Sequence, residues 1–200
     1  MDVKSRKAEQ SVATRAALLN AARELFTEHG YADAPTEEIV QRAGVTRGAL
    51  YHHFKDKQDL FRAVMEEVDQ EFTQRVALAS AGANGDIWER LMAGVDAFLE
   101  GCSEPAIRRI ILLDAPAVLS LERYREIEAK YGLGLVRGAL QGAMDAGVIE
   151  RQPVEPLAHL VLGVLHEAGM LIATADEPEA ARTQVRETVE RMLEGLRPAR

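Results

Sequence analysis

The chain has 200 residues, of which 47% are hydrophobic and 5% aromatic, and its formal net charge is −8. This composition supports a substantial core and, with Ala, Leu, Glu and Arg prominent, favours an all-helical protein. The single cysteine, Cys102, excludes an internal disulfide framework. Because no apolar run approaches the roughly 20 residues of a membrane span, we expect a cytoplasmic protein without a membrane partner.

The N-terminal part predicts three helices in close succession. The first covers residues 13–29, whose apolar side chains fall on one face, and Gly30 ends it. A second, short helix begins at Thr36, whose hydroxyl we expect to cap it. Gly44 is the residue type that ends helices in a left-handed conformation, and we expect Thr46 to cap a third helix two residues later.

The third helix is short and has two different faces. Leu50 and Phe54 are four residues apart and predict a buried face, which leaves the polar residues on the outside. Two capped helices joined by so short a turn are typical of a helix-turn-helix, which places its second helix in the major groove of DNA. The sequence therefore predicts a DNA-binding unit.

The remaining chain predicts longer helices and no strands. Asp56 is expected to cap a helix that runs to about residue 79, and Asp86 to cap one that ends at Gly101. A further apolar helix is predicted over residues 104–120, with Pro116 kinking or ending it. Three more helices are predicted over residues 121–146, 156–175 and 179–196.

The N-terminal part resembles the tetracycline-repressor (TetR) family of bacterial transcriptional regulators. The matching residues are 21–26, 30–31, 36–40 and 43–54, together with Lys57 and Leu60. The resemblance implies an all-α protein with an N-terminal three-helix helix-turn-helix DNA-binding domain in residues 1–60. It also implies a larger C-terminal helical domain, residues 61–200, for effector binding and dimerisation.

The DNA contacts are predicted around the third helix. Residues at the start of a recognition helix approach base edges, so we expect Arg47 to make a bidentate contact to guanine. Gly48 leaves room for close backbone approach, and Thr46 caps the helix and contacts phosphate. The resemblance implies DNA contacts by Tyr51, His52 and Lys57. The full predicted set is Thr36, Thr46, Arg47, Gly48, Tyr51, His52 and Lys57.

The net negative charge argues at first against nucleic acid, but its distribution does not. Residues 1–62 hold 10 Lys and Arg against 9 Asp and Glu, whereas residues 63–200 hold 14 against 23. A basic arm at residues 4–7 and the pair Lys55 and Lys57 supply local positive charge near the motif. Such a patch neutralises phosphates while the acidic body limits indiscriminate binding.

The last two predicted helices carry more apolar surface than one core contact needs. A helix that is apolar on most sides is buried on most sides, so one face would meet a second subunit. The alternative is ordinary packing within the chain. The family resemblance implies a homodimer through a four-helix bundle. The predicted interface residues are Leu157, Val161, Val164, Ala168, Leu171, Val185, Val189, Met192 and Leu196.

The resemblance also implies that the second domain binds a small effector among its central helices. Effector binding would shift the helix after Asp56 and change the distance between the DNA-binding domains of the two protomers. The predicted lining residues are Phe72, Trp88, Met92, Phe98, Leu112, Asp114, Tyr124, Tyr131, His166 and Met170.

Three groups of residues in this domain leave alternatives open. Asp114 lies in an apolar segment, so it pairs with Arg108 or Arg125, lies at an exposed helix end, or contacts a polar ligand. His159 and His166 are seven residues apart and either line a cavity or lie satisfied at a helix interface. The repeated glycines indicate a close helix crossing or a cavity floor; they are Gly134, Gly138 and Gly142.

The function predicted from these features is a ligand-responsive transcriptional regulator. We expect it to be a repressor that a small-molecule effector releases from a pseudo-palindromic operator. No metal site, cofactor or catalytic group is predicted, because the sequence shows no dense cluster of metal ligands, phosphate loop or nucleophile–base pair. Two other classes remain: an architectural DNA-binding protein without a ligand, and an enzyme that uses Asp114 and a histidine. A redox role for Cys102 is disfavoured because Glu100 and Glu104 oppose a thiolate.

Overall fold

The computed structural model describes residues 3–198, except for the side chains of residues 3–7, 121 and 128. The basic arm at residues 4–7 therefore lies outside the described side chains. Within residues 3–198 the chain forms ten α-helices and one π-helix, and no strand occurs there. The predicted all-α fold is confirmed. The helices are α1 (Val3–Asp33), α2 (Thr36–Arg42), α3 (Arg47–His53), α4 (Lys57–Gly82), α5 (Ile87–Gly101), the π-helix (Ile107–Asp114), α6 (Ala115–Val118), α7 (Leu121–Lys130), α8 (Gly132–Asp145), α9 (Val154–Thr174) and α10 (Pro178–Glu194).

The first helix is longer than predicted, and it breaks at the predicted glycine. α1 begins at Val3, and Gly30 has a φ of 79° and a ψ of 173°, which lie outside the helical region. A Cβ added at Gly30 would also lie 1.8 Å from Nη2 of Arg109. Both the backbone conformation and the close approach of Arg109 therefore require glycine at this position.

The helix-turn-helix forms with one correction to its capping. Thr46 caps α3 as predicted, since its side chain accepts from the backbone N–H of Ala49 at 3.2 Å. Thr36 does not cap α2, because it is the first helical residue and not the residue before the helix. The extended Pro35 is the N-cap, and its carbonyl accepts from the amide of Ile39 at 3.2 Å. Gly44, in the turn, has a φ of 65°.

Two hydrophobic cores organise the molecule. The first is continuous from α1 through α4 to the π-helix and α7, so apolar packing runs across the predicted domain boundary at residue 60. Its centre includes the edge-to-face rings of Phe26 and Phe61, whose centroids are 5.2 Å apart. The second core joins α5, α8, α9 and α10. Asp56 and Asp86 cap α4 and α5 as predicted.

The middle of the chain differs from the predicted long helices. Residues 107–114 form a π-helix, and Pro116 lies in the first turn of α6, where a proline needs no N–H partner. The helix predicted over residues 121–146 is two helices, separated at Tyr131 with φ −116° and ψ −69°. Gly132, a residue type that ends helices, directly follows this break.

The glycine repeat on α8 does not mediate a close crossing within the described chain. A Cβ added at Gly134, Gly138 or Gly142 would meet no other atom within 4 Å. Gly134 and Gly138 instead line a shallow groove beside Ala77 of α4. Among the described residues the close crossing is therefore wrong, whereas two of the three glycines do line an open groove.

The helix α9 corrects the expectation about apolar runs. By length and composition α9 is apolar enough to cross a membrane, with a mean hydropathy of 1.5 over its most apolar window. It packs against α5, α8 and α10. Most of its buried residues belong to the second core and Ala173 belongs to the first, as in the core helix of a globular helical domain.

Candidate nucleic-acid interface and effector cavity

One face of the short helix α3 packs into the core, and the opposite face is exposed to solvent. Leu50 is fully buried and Phe54 is 3% exposed, so together they fix the inner face of the helix. Arg47 and Tyr51 lie on the outer face, with 66% of the Arg47 side chain and 45% of Tyr51 exposed. Gly48 and His52 are exposed as well. The structure therefore brings together on one surface the outward-facing residues predicted for α3.

Arg47 is held by two neighbours on this surface. Its Nη1 lies 3.3 Å from Oε1 of Glu37, and its guanidinium carbon lies 5.6 Å from the centroid of the Tyr51 ring. Glu37 belongs to the first turn of α2 and was not among the predicted site residues. Its contact with Arg47 limits the orientations of the guanidinium at the surface.

Lys57 lies against the end of α1 and not in open solvent. Its Nζ lies 4.5 Å from the Tyr31 ring centroid and donates to the carbonyl of Ala32 at 3.4 Å. Burial lowers the pKa of Lys57, while the charge of Asp33 opposes that change. Thr36, the seventh predicted residue, is half-buried, and its hydroxyl donates to Oε2 of Glu37 at 3.2 Å.

A cavity of about 120 Å³ lies among the central helices of the second domain. Its walls come from α4, α5, the π-helix, α7, α8, α9 and α10. Five of the ten predicted lining residues contribute to it: Phe72, Phe98, Leu112, Tyr124 and His166. Phe72 and Phe98 are stacked with centroids 5.4 Å apart, and Oη of Tyr124 lies 2.9 Å from Nδ1 of His166.

The other five predicted lining residues lie elsewhere. Trp88 and Met92 belong to the second core, and the Trp88 ring lies 4.9 Å from the guanidinium carbon of Arg197. Met170 packs on the first core, as does Tyr131. Asp114 does not line the cavity either. Helical periodicity gives the buried side of each helix, but it does not distinguish core contacts from cavity walls.

Asp114 joins the two domains. Its Oδ2 accepts from the backbone N–H of Tyr31 at 2.7 Å and lies 3.3 Å from Nε of Arg109. A partner among arginines was expected, but Arg109 replaces the predicted Arg108 or Arg125. The reason is the π-helix, whose i→i+5 bonding places Arg109 beside a residue five positions later. Arg108 donates instead to the carbonyl of Ala173 at 2.6 Å.

Sequence reasoning missed several polar residues of the cavity. Asp69 and Thr73 line it from α4, and Ser80 lines it near the end of that helix. The signal was present in the spacing, since Asp69 and Thr73 lie four residues apart and flank Phe72. Of the two predicted histidines, His166 lines the cavity, whereas His159 is exposed.

The predicted interface residues divide into buried and exposed groups. Leu157, Ala168 and Val189 are buried in the second core of the same chain, so they cannot add much area to a subunit contact. Leu171 is 52% exposed and Met192 is 53% exposed. The remaining predicted residues are partly buried: Val161, Val164, Val185 and Leu196. Leu160 of α9, which was not in the predicted interface, is 69% exposed.

The lone thiol lies deep in the first core. Cys102 has no exposed surface, and burial, with a smaller contribution from Glu104, raises its pKa to about 12. Its sulfur would lie 3.0 Å from a Cβ added at Gly169. A neutral, enclosed thiol of this kind is a packing residue.

Comparison with known proteins identifies the family. The model of tetR-family bacterial regulatory proteins matches residues 18–64, and that of the tetracyclin repressor-like C-terminal domain matches residues 88–196. The crystal structure of a TetR-family transcriptional regulator from Pectobacterium atrosepticum is 36% identical in sequence, with a TM-score of 0.83. The match covers 96% of this chain and 97% of that one.

Two curated proteins extend the comparison. The TetC protein of transposon Tn10 from Escherichia coli is 26% identical over 167 residues, which are 82% of each protein. The transcriptional repressor AcnR of Corynebacterium efficiens is 41% identical over 59 residues, 30% of this chain and 31% of that protein. With both family models matching in the expected order, the chain belongs to the tetracycline-repressor (TetR) family of bacterial transcriptional regulators.

Proposed function

We propose that this protein is a cytoplasmic, sequence-specific repressor that binds a pseudo-palindromic operator as a homodimer and is released by a small-molecule effector. The observation that carries the proposal is the geometry of α3. Thr46 caps the helix, Leu50 anchors it in the core, and Arg47 lies exposed in its first turn. This is the geometry with which a recognition helix presents side chains to base edges.

In the proposed complex, Arg47 reads a guanine and Tyr51 and His52 contact the backbone. When DNA is bound, the ion pair between Glu37 and Arg47 has to break, or Arg47 has to contact Glu37 and the base at the same time. Lys57 supports the interface from the start of α4, where it packs against the end of α1 and its charge adds to the field that attracts phosphate.

The effector is proposed to act through two elements that line the cavity and also contact the DNA-binding domain. α4 carries Phe72 in the cavity wall and begins four residues after α3 ends. The π-helix carries Leu112 in the wall and Asp114 at the amide of Tyr31. A ligand that displaces either wall therefore changes the position of the DNA-binding domain relative to the C-terminal domain.

The homodimer is proposed to form through the outer faces of α9 and α10. Leu160 and Leu171, eleven residues apart on α9, lie close to one helix face because eleven residues span about three turns. Met192 is a large, exposed apolar residue of α10. A two-fold dimer places two recognition helices on the half-sites of a palindrome.

Selection from a random duplex DNA library tests the proposal. The expected product is one inverted repeat, whose complex contains two protomers and weakens steeply as salt is raised. Selection of no consensus, with binding that disappears at moderate salt, would favour an architectural role and contradict the proposal.

A further inference from the structure

We propose that Glu37 is a positioning residue for DNA recognition, which holds the guanidinium of Arg47 in the orientation that reads guanine. This inference rests on the proposed function, because the base contact of Arg47 belongs to that proposal. It is carried by the contacts of the Glu37 carboxylate, by those of the Arg47 guanidinium, and by the N–H groups that remain available on Arg47.

The Glu37 carboxylate connects the first turns of α2 and α3. Its Oε2 accepts from the Thr36 hydroxyl at 3.2 Å, and its Oε1 lies 3.3 Å from Nη1 of Arg47. A hydrogen bond from its own backbone amide, the Thr36 hydroxyl and the charge of Arg47 lower the pKa of Glu37. The carboxylate is therefore ionised at neutral pH, and its two oxygens contact two different partners.

The Arg47 guanidinium is held from two sides. Glu37 contacts its Nη1, and the ring centroid of Tyr51, one turn further along α3, lies 5.6 Å from its guanidinium carbon. A long side chain that moves freely in the unbound protein loses rotamer entropy when it binds, and one already held in its bound orientation loses less. The two contacts therefore prepare Arg47 for a contact with a base.

Glu37 and a guanine can bind the same guanidinium together. Arginine carries several N–H donors in one plane, and a bidentate contact to N7 and O6 of guanine uses a pair of them. Glu37 contacts Nη1 and the Tyr51 side chain takes a further hydrogen bond, which leaves enough N–H groups for the base. The ion pair between Glu37 and Arg47 therefore persists in the complex, where exclusion of water strengthens it.

The same ion pair favours a base over a phosphate as the partner of Arg47. A phosphate oxygen that approaches this guanidinium meets the negative charge of Glu37, whereas N7 and O6 of guanine carry no formal charge. Repulsion of the wrong partner raises specificity even where it adds no affinity. Glu37 is therefore expected to affect the choice of base more than the strength of binding.

Binding to the selected operator, and to duplexes substituted at each base pair, tests this inference. The base pair that Arg47 reads is the one at which Arg47→Ala loses discrimination. At that base pair we expect Glu37→Gln to reduce discrimination about fivefold, with little change at the other positions. The exposed ion pair adds little stability, so thermal unfolding should match that of the wild type, and Glu37→Ala repeats the test if it does not.

Glu38→Gln is the matched control. It removes a carboxylate from the same turn of α2, but one that pairs with Arg42 and not with Arg47. We expect it to keep full discrimination at every base pair. A second control adds Glu37→Gln to the Arg47→Ala protein. Discrimination at that base pair should fall no further there, because Glu37 acts through Arg47.

Full discrimination in the Glu37→Gln protein would overturn the inference. An equal loss at every base pair in Glu37→Gln and Glu38→Gln would also overturn it, because that is the result of a general charge effect. The proposed function fails by a different readout, the absence of a selected operator. A selected operator at which Arg47→Ala relaxes no base pair would keep the repressor proposal and reject the roles of both Arg47 and Glu37.

Discussion

At the scale of single residues, recognition in this account depends most on Arg47, which begins α3 and is two-thirds exposed. We predict that Arg47→Ala weakens binding to the selected operator by about 1–3 kcal/mol and relaxes specificity at one base pair. Fluorescence anisotropy on the operator and on duplexes substituted at each position measures both effects. Arg137→Ala, an exposed arginine of α8, is the control and should bind as the wild type does. Equal affinity of Arg47→Ala and wild type for the operator would reject this role.

The Asp114 carboxylate joins the π-helix to the end of α1 through Tyr31 and Arg109. Its removal leaves a partly buried N–H without its acceptor, so Asp114→Ala should lower the free energy of unfolding by about 1–3 kcal/mol. Urea denaturation measures the change. The control is Asp145→Ala, which removes an exposed ion pair with Arg151 and should change stability little. Equal losses in the two variants would show that the contact does not connect the domains energetically.

At the scale of elements, substitution of two glycines by alanine tests whether the backbone conformation requires glycine in the turn and in α8. Gly44 has a φ of 65° in the helix-turn-helix, and a Cβ there would meet no atom within 4 Å. Gly44→Ala should therefore destabilise by about 1–2 kcal/mol through backbone strain alone. Gly138 is helical and equally open, so Gly138→Ala should stabilise by about 0.5–1 kcal/mol.

Thermal unfolding of the two glycine variants gives the comparison. Both add one methyl group in open space, so packing cannot explain a difference between them. Destabilisation by Gly138→Ala would indicate that this face of α8 is covered in the assembled protein.

Elements with strong local signals could be predicted from the sequence. The caps Thr46, Asp56 and Asp86 and the left-handed Gly44 are short-range features, and the structure confirms each of them. The break at Tyr131 has a weaker signal, because Gly132 follows it but no side chain caps the next helix.

The candidate site was predictable to a different degree in its two parts. Arg47 and Tyr51 follow from the helical phase set by Leu50, a local relation. The cavity walls depend on how seven elements pack, so Asp69 was missed and Trp88 was wrongly included. The Asp114 to Arg109 pair depends on π-helical bonding, which the α-helical spacing used for prediction does not contain.

At the scale of the whole molecule, the proposed homodimer has to hold two recognition helices at the spacing of its operator. We predict that Leu171→Glu shifts the protein from dimer to monomer, because it places an unpaired carboxylate in an apolar interface. Sedimentation velocity measures the association state. Leu78→Glu is the control, since Leu78 is 63% exposed but lies on α4. A Leu171→Glu protein that remains dimeric would move the interface away from this face of α9.

The charge distribution belongs to the same scale. The acidic surplus lies in residues 63–200, and the exposed Arg47 and the nearby Lys57 lie in the near-neutral first part. An acidic body with a local positive patch favours specific sites over bulk DNA. Affinity for random duplex should therefore be low at physiological salt, while the operator complex persists.

Footprinting on DNA upstream of the protein's own gene, at near-physiological salt, is the decisive test of sequence-specific recognition by α3. We expect one protected pseudo-palindrome in the wild-type titration, and loss of that protection in the Arg47→Ala protein at the same concentration. Uniform weak protection that disappears with salt, and is the same for both proteins, would contradict sequence-specific recognition by α3 at this DNA.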